Sequence, residues 1–232
     1  MLLAVDKPHW RTSYDCIRYI KHLFPKQKIW HAGTLDPYAT GLLIIAVWND
    51  TKQLHKRLGQ HKTYQAQIDL SQSSDTRDLQ HRSDYVQYPV QDGWIIKDEE
   101  YKVWPNVETL KHTLWQLIPS HLMPVPAFSA KKIKGKHSYD LAREGQLIQQ
   151  DKEMIFDQVE ILQYQFPLID LELTVWSGTY IRSVAYRLWQ QYGMGGLLTQ
   201  LRRTSIWLVS VPTVNTHGDE KLVIGEIDGS MM

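Results

Sequence analysis

In the segment His31-Ala-Gly-Thr-Leu-Asp-Pro-Tyr-Ala-Thr-Gly-Leu-Leu43, two glycines and the pair Asp36-Pro37 stand directly before an apolar, partly β-branched run. A proline ring excludes the helical region for the residue before it, so Asp36 is expected on a rigid, non-helical turn. A carboxylate held in that way can act as a nucleophile or stabilise developing positive charge. Taken alone, an Asp-Pro pair ordinarily does no more than make an Asx-type turn. What weighs for chemistry is the company this one keeps. Other chemistries find little support, since there is no Gly-x-Ser-x-Gly elbow and no His-Glu-x-x-His, and the ten histidines show no ligand spacing. The single cysteine, Cys16, leaves no internal disulfide and no Cys-x-x-Cys zinc knuckle. Gly193-Met194-Gly195-Gly196 lacks a phosphate-loop lysine and is expected to end a helix.

The charge distribution suggests a polyanionic partner more strongly than the net charge of +1 does. Residues 1–64 hold ten Lys or Arg against four Asp, and residues 177–217 carry Arg182, Arg187, Arg202 and Arg203 with no acid. Lys131, Lys132, Lys134 and Lys136 crowd one short segment. Such blocks suit a phosphate backbone, although lysine clusters on their own are most often solvated faces. The start of the chain lacks the long apolar core of a signal peptide, and Leu42 to Trp48 is far too short to span a membrane. With one cysteine, a reducing, cytoplasmic setting is expected, with no membrane partner.

These residues need a framework. Leu2 to Val5 is expected as a buried strand followed by an Asp6-Lys7-Pro8 turn. A helix should begin near Thr12 or Ser13, with Asp15 completing a cap, Cys16, Ile17, Ile20, Leu23 and Phe24 on one face, and Pro25 as the stop. Leu42 to Val47 should be a strand buried on both faces. Asp50 should cap a short helix ending at Gly59. Thr63 to Leu70 alternates strictly, which predicts a half-buried strand with Tyr64 facing inward. Ser71 to Asp84 is a loop by composition. Val107 to Ile118, capped by Asn106, is a helix, and Pro119 to Gly135 is a long excursion off the core. A short helix near Ser138 to Arg143, strands at Met154 to Gln165 and Leu168 to Trp176, and a helix from Tyr180 to Tyr192 follow. Strands and helices interleave without a regular βαβ rhythm, so the expected class is α+β.

The Asp36 segment resembles the active-site motif of the TruB family of tRNA pseudouridine synthases, bacterial enzymes that modify uridine 55 in the T arm. Further blocks are similar to that family in the right order: Asp6-Lys7-Pro8-His9-Trp10-Arg11-Thr12-Ser13, Lys62-Thr63-Tyr64, Asp75-Thr76-Arg77-Asp78, and Pro126 to Gly135 with Tyr139 and Ala142-Arg143. Ser177-Gly178-Thr179-Tyr180-Ile181-Arg182-Ser183 and Leu201-Arg202-Arg203-Thr204 complete the set, so the resemblance covers residues 2 to about 205. Departures are Trp10 in place of a glycine, Met123 and Val125 in place of the thumb's glutamine and first proline, and Ser71 and His81 where glycines are usual.

The resemblance implies a pseudouridine synthase fold: a central, mostly antiparallel or mixed sheet flanked by helices, with an RNA-binding thumb insertion at about 119–146. The catalytic domain is expected over 1–210, with 211–232 a short tail and no full C-terminal PUA domain. It implies isomerisation of uridine in the T stem-loop of tRNA by a monomer, with Asp36 as nucleophile, and the reaction calls for no cofactor or metal. Arg182 is expected to favour ionised Asp36, and Tyr64 to stack on the target uracil near C5. His31 is expected to hold the flipped conformation of the base, within a substrate-binding loop that includes Gly33, Leu35 and Pro37. Lys7, Lys131, Lys132 and Lys134 are the expected phosphate contacts, with Arg202 and Arg203 as weaker candidates. Two alternatives stand beside this: a non-catalytic RNA-binding or tRNA-folding module of the same fold, and a synthase acting on another RNA.

Overall fold

Thr12 and Asp15 begin the first helix with a reciprocal cap: the Asp15 N–H donates to Thr12 Oγ1 at 3.0 Å and the Thr12 N–H to Asp15 Oδ2 at 2.7 Å. The expected start is therefore met by the expected chemistry. The computed structural model describes residues 1–48, 61–74, 76–79, 86–87, 90–91, 94–97, 100–103, 105–129, 131–133, 135–146, 148, 150–193, 195–211 and 222–227. The short helix expected after Asp50 lies outside them.

In chain order the elements are β1 (Leu2–Lys7), α1 (Ser13–Leu23), β2 (Ile29–Ala32), β3 (Thr40–Val47), β4 (His61–Asp69), β5 (Gln72–Ser73), β6 (Val86–Gln87), β7 (Val90–Gln91), β8 (Trp94–Lys97) and β9 (Glu100–Val103). Then come α2 (Val107–Trp115), β10 (Ser120–Pro124), β11 (Lys132–Ile133), β12 (Lys136–His137), α3 (Ser138–Arg143), β13 (Asp151–Gln165), β14 (Leu168–Trp176), α4 (Ile181–Tyr192), β15 (Leu197–Ile206), β16 (Val209–Ser210) and β17 (Val223–Glu226). The chain forms two compact units, one of Met1–Gln65 with Leu201–Met232 and one of Ala66–Gln200, and it passes between them within β4 and within β15. No helix among the described residues is long and apolar enough to cross a membrane.

In the first unit, β3 lies between β1 and β2 and is antiparallel to both. Arg202 and Arg203 of β15 pair with Thr40 and Gly41 of β3 in parallel, which makes the sheet mixed. The apolar run in β3 is buried on both faces because alternate residues serve two cores. Leu43, Ile45 and Val47 join Leu3, Val5 and the α1 residues Cys16, Ile17 and Ile20. Leu42, Ile44 and Ala46 join Leu2, Ala4, Ile206 and Val209 on the other side. β1 runs on through Lys7, beyond the turn expected at Asp6. Residues 223–226, expected within a short tail, instead pair with β1, with Leu3 opposite Glu226.

In the second unit, β13 pairs antiparallel with β14 and with β10. Asn106 caps α2 through its side-chain oxygen, as expected, and Leu110 and Leu114 are buried. The stretch after Pro119 departs from expectation: it opens as strand β10, with Ser120 opposite Ile155, and buries Met123 and Val125. Prolines at 119, 124 and 126 disguise it, because proline is tolerated where no ladder N–H is required. Gly193 ends α4 at φ 66°, a left-handed position suited to glycine.

Candidate active site

Residues 33–39 link β2 to β3, and two buried cations set the shape of this loop. Lys7, at the end of β1, has no exposed surface, and its ammonium donates to Pro8 O at 3.1 Å, Arg11 O at 2.6 Å and Pro37 O at 3.0 Å. Three donors meeting three carbonyls satisfy a lysine completely. Burial lowers the Lys7 pKa to about 8, an effect that the negative charge of Asp36 opposes. Lys7 therefore ties the Asp36-Pro37 turn to the loop that follows β1. With every donor used and no exposed surface, it is not placed to contact a phosphate as expected from sequence.

Arg203 of β15 is likewise buried, whereas its neighbour Arg202 is partly exposed. Arg203 donates from Nε to Leu42 O at 2.7 Å and from Nη2 to Gly33 O at 2.9 Å. Its Nη1 lies 3.5 Å from the Tyr64 hydroxyl, with the guanidinium 6.0 Å from the centre of the Tyr64 ring. Its planar fork thus joins the start of the Asp36 loop, the start of β3 and the inward-facing tyrosine. This too replaces an expected phosphate role. Arg202 faces the opposite side and grips Asp6 with both terminal nitrogens, at 3.0 and 2.7 Å. Beside that pair, Arg202 keeps 40% of its side-chain surface exposed.

Gly41 permits the arrangement. At φ 101°, a Cβ there would lie 2.2 Å from the Arg203 carbonyl oxygen, so only glycine lets β15 approach β3. Leu35 is buried, and its N–H donates to Ser13 Oγ at 3.0 Å, which secures the loop to the start of α1. The Ala39 N–H donates to Asp36 O at 3.0 Å and closes the turn. Asp36 itself is half-buried, as are Pro37 and His31, and the His31 ring lies parallel to Trp30 with centroids 6.1 Å apart. The first unit thus brings together Asp36, Pro37, Leu35, Gly33, Tyr64, Lys7 and Arg203.

Arg182 belongs to the second unit, in the first turn of α4. It is buried and meets buried Asp78, Nε to Oδ2, at 3.3 Å. It also donates to Phe128 O at 2.8 Å and to Thr76 O at 3.5 Å. Thr76 Oγ1 donates to Asp78 Oδ1 at 2.8 Å, and Ser74 Oγ to Asp78 O at 3.0 Å. The polar 71–84 stretch, read as a loop, is therefore in part a buried hydrogen-bonded network. Sequence reasoning gave Asp78 no role, and its signal was its place in the block Asp75 to Asp78. Arg182 and Thr76 line a cavity of about 550 Å³ together with Arg77, Pro126, Phe128 and Tyr186.

The segment expected from the resemblance to be a thumb contains the short hairpin β11–β12, with Lys132 opposite His137 and Gly135 between the strands at φ 89°. Its base is closed by Ser138 Oγ donating to Ala127 O at 2.6 Å and by the Tyr139 N–H donating to Ser129 O at 3.1 Å. Lys132 is exposed and Lys131 half-buried, whereas Lys134 lies outside the described residues. Among the described residues, no group of His, Cys, Asp or Glu side chains is arranged to hold a metal ion.

A family profile described as "TruB family pseudouridylate synthase (N terminal domain)" matches residues 21–181. The chain belongs to the TruB family. A tRNA pseudouridine synthase B of Chlamydia felis (strain Fe/C-56) is 36% identical over 203 residues, which is 87% of this chain and 80% of the relative. One of Aquifex aeolicus (strain VF5) is 34% identical over 218 residues, 90% of this chain and 69% of the relative. Among solved structures, a chain of a Cbf5-Nop10-Gar1 complex superposes with a TM-score of 0.62 at 21% identity, covering 88% of this chain and 48% of that one. A chain of an H/ACA RNP bound to a substrate RNA containing 2'-deoxyuridine gives 0.59 at 18%, covering 89% and 48%. This TruB chain spans about half the length of those two and shares their fold, the α+β pseudouridine synthase fold.

Proposed function

We propose that this chain isomerises uridine to pseudouridine in tRNA, at uridine 55 of the T stem-loop, acting as a monomer with Asp36 as nucleophile. Membership of the TruB family, with tRNA pseudouridine synthases B as relatives, supports the reaction class. The observation that carries the assignment to Asp36 is the clamp on its turn: Lys7 holds Pro37 O and Arg203 joins Gly33 O to Tyr64. Backbone held from two sides by buried cations presents one carboxylate in one orientation.

The reaction breaks the bond from N1 to C1′, turns the uracil, and bonds C5 to C1′. The proton on C5 is lost to solvent and N1 gains one, so the balance requires no oxidant and no donor. The Asp36 carboxylate adds to the substrate and departs when the new carbon–carbon bond forms. Tyr64 stacks on the uracil, and His31 supports the extruded base at the mouth of the loop. Arg182 serves the same reaction by family resemblance, and the lysines of the thumb hold the phosphate backbone.

Release of tritium from C5-labelled uridine in an unmodified tRNA transcript tests this directly, and carbodiimide adducts read by primer extension locate the product. Asp36→Asn is expected to abolish release, by roughly a thousandfold or more, while RNA binding persists. If the parent chain binds the transcript but releases nothing at stoichiometric enzyme, it is an RNA-binding module. If the adduct maps elsewhere, the position is wrong.

A further inference from the structure

We propose that Trp10 is a stacking platform for an unpaired nucleobase of the RNA substrate, fixed in position beside the catalytic turn. The inference rests on the reading of this chain as an RNA-acting enzyme and adds a residue that reading does not use. Trp10 has φ 58°, in the left-handed region that an L side chain adopts at a cost and that glycine occupies freely. Its indole is 47% exposed, so burial returns only part of that cost. Trp48 and Trp207 share a positive φ and a similar exposure, so what distinguishes Trp10 is the way its turn is tied to that of Asp36.

Its surroundings define that use. Lys7 donates to the carbonyls of Pro8 and Arg11, on either side of His9-Trp10, and to the carbonyl of Pro37 next to Asp36. One ammonium therefore fixes both the turn that carries Trp10 and the turn that carries the nucleophile. The His9 ring supports the indole at 4.9 Å between centroids, tilted by 45°, which leaves an indole face to be covered. His9 and Arg11 are both exposed, and Arg11 adds a cation suited to a phosphodiester next to a stacked base. An aromatic beside a cationic side chain, here Arg11, is the common element of single-strand recognition, where any base offers a π-face.

The test uses the full chain with Trp10→Gly and Trp10→Phe. Glycine accepts the backbone conformation without strain, so that variant should fold at least as well as the parent in urea unfolding. Its KM for an unmodified tRNA transcript should rise about tenfold, with the loss falling on KM rather than kcat, and phenylalanine should recover most of it. T-arm stem-loops carrying 2-aminopurine at single loop positions should show one position quenched by the parent and by Trp10→Phe but not by Trp10→Gly. A glycine variant with KM within twofold of the parent and the same quenching at every position overturns the proposal. If the parent releases no tritium, the isomerase reading fails separately. The quenching series and stem-loop affinities then decide the platform alone: a tenfold affinity loss in Trp10→Gly upholds it, and equal affinity overturns it.

Discussion

The two units bury cations in different ways. In the first, Lys7 and Arg203 are surrounded by backbone carbonyls, and their hydrogen bonds run to Pro8, Arg11, Pro37, Leu42 and Gly33. In the second, Arg182 is buried against a carboxylate, Asp78, which itself accepts from Thr76. A cation held by carbonyls specifies the path of the chain, since each bond fixes a peptide plane. An ion pair specifies the position of two side chains and neutralises them. The first device fixes the backbone of the loop that carries Asp36, and the second fixes side chains that line a cavity.

Breaking the ion pair should have the larger effect on stability. Asp78→Ala leaves the Arg182 guanidinium buried without its carboxylate and is expected to cost about 3–5 kcal/mol, read as a lower urea midpoint. Asp78→Asn keeps an acceptor for Thr76 and should lose less. If both variants unfold at the parent's midpoint, Arg182 is held by its carbonyl contacts alone, and the contrast between the units disappears.

Lys7→Met addresses the carbonyl-held cation. It removes three donors together and should cost about 1–3 kcal/mol, with turnover falling further than stability because the Pro37 carbonyl is released. The pH dependence sharpens this. The folded-state pKa of about 8 lies below the ordinary 10.5, so between these values the unfolded chain binds the extra proton. The Lys7 contribution to stability is therefore fully present above 10.5 and is lost as pH falls through about 8. Urea unfolding at pH 7, 9 and 10 should show the parent gaining on Lys7→Met as pH rises. A constant difference would mean that the ammonium is not desolvated.

The same contrast explains what could be read from the residues alone. Periodicity and capping revealed α1, α2, β3 and β4, because those elements are local: Thr12 with Asp15, Asn106 at a helix start, and strict alternation over β4 declare themselves within a few residues. The clamp on Asp36 did not, since Arg203 and Gly33 are 170 positions apart and a buried arginine looks like a surface one until its strand is placed. For the same reason Lys7 and Arg203 look from sequence like phosphate contacts, whereas both are buried. Long-range pairing also hid β15 and β17, whose partners lie at the other end of the chain. Strand β10 was masked by its prolines.

The smallest expected effect lies in the hairpin, where Lys132 and Lys136 are exposed rather than buried with an acid. Lys132 is exposed, whereas Lys136 lies 3.5 Å from Glu144, an exposed pair of little worth to stability. If the hairpin tracks a phosphate backbone, Lys132→Ala should weaken tRNA binding a few-fold and reduce the slope of log affinity against log salt by about 1. Lys136→Ala should change the slope less, because Glu144 already offsets its charge. Equal slopes for the parent and Lys132→Ala would remove this lysine from the RNA contact. A steeper loss for Lys136→Ala would mean that the pair opens on binding and that the two lysines exchange roles.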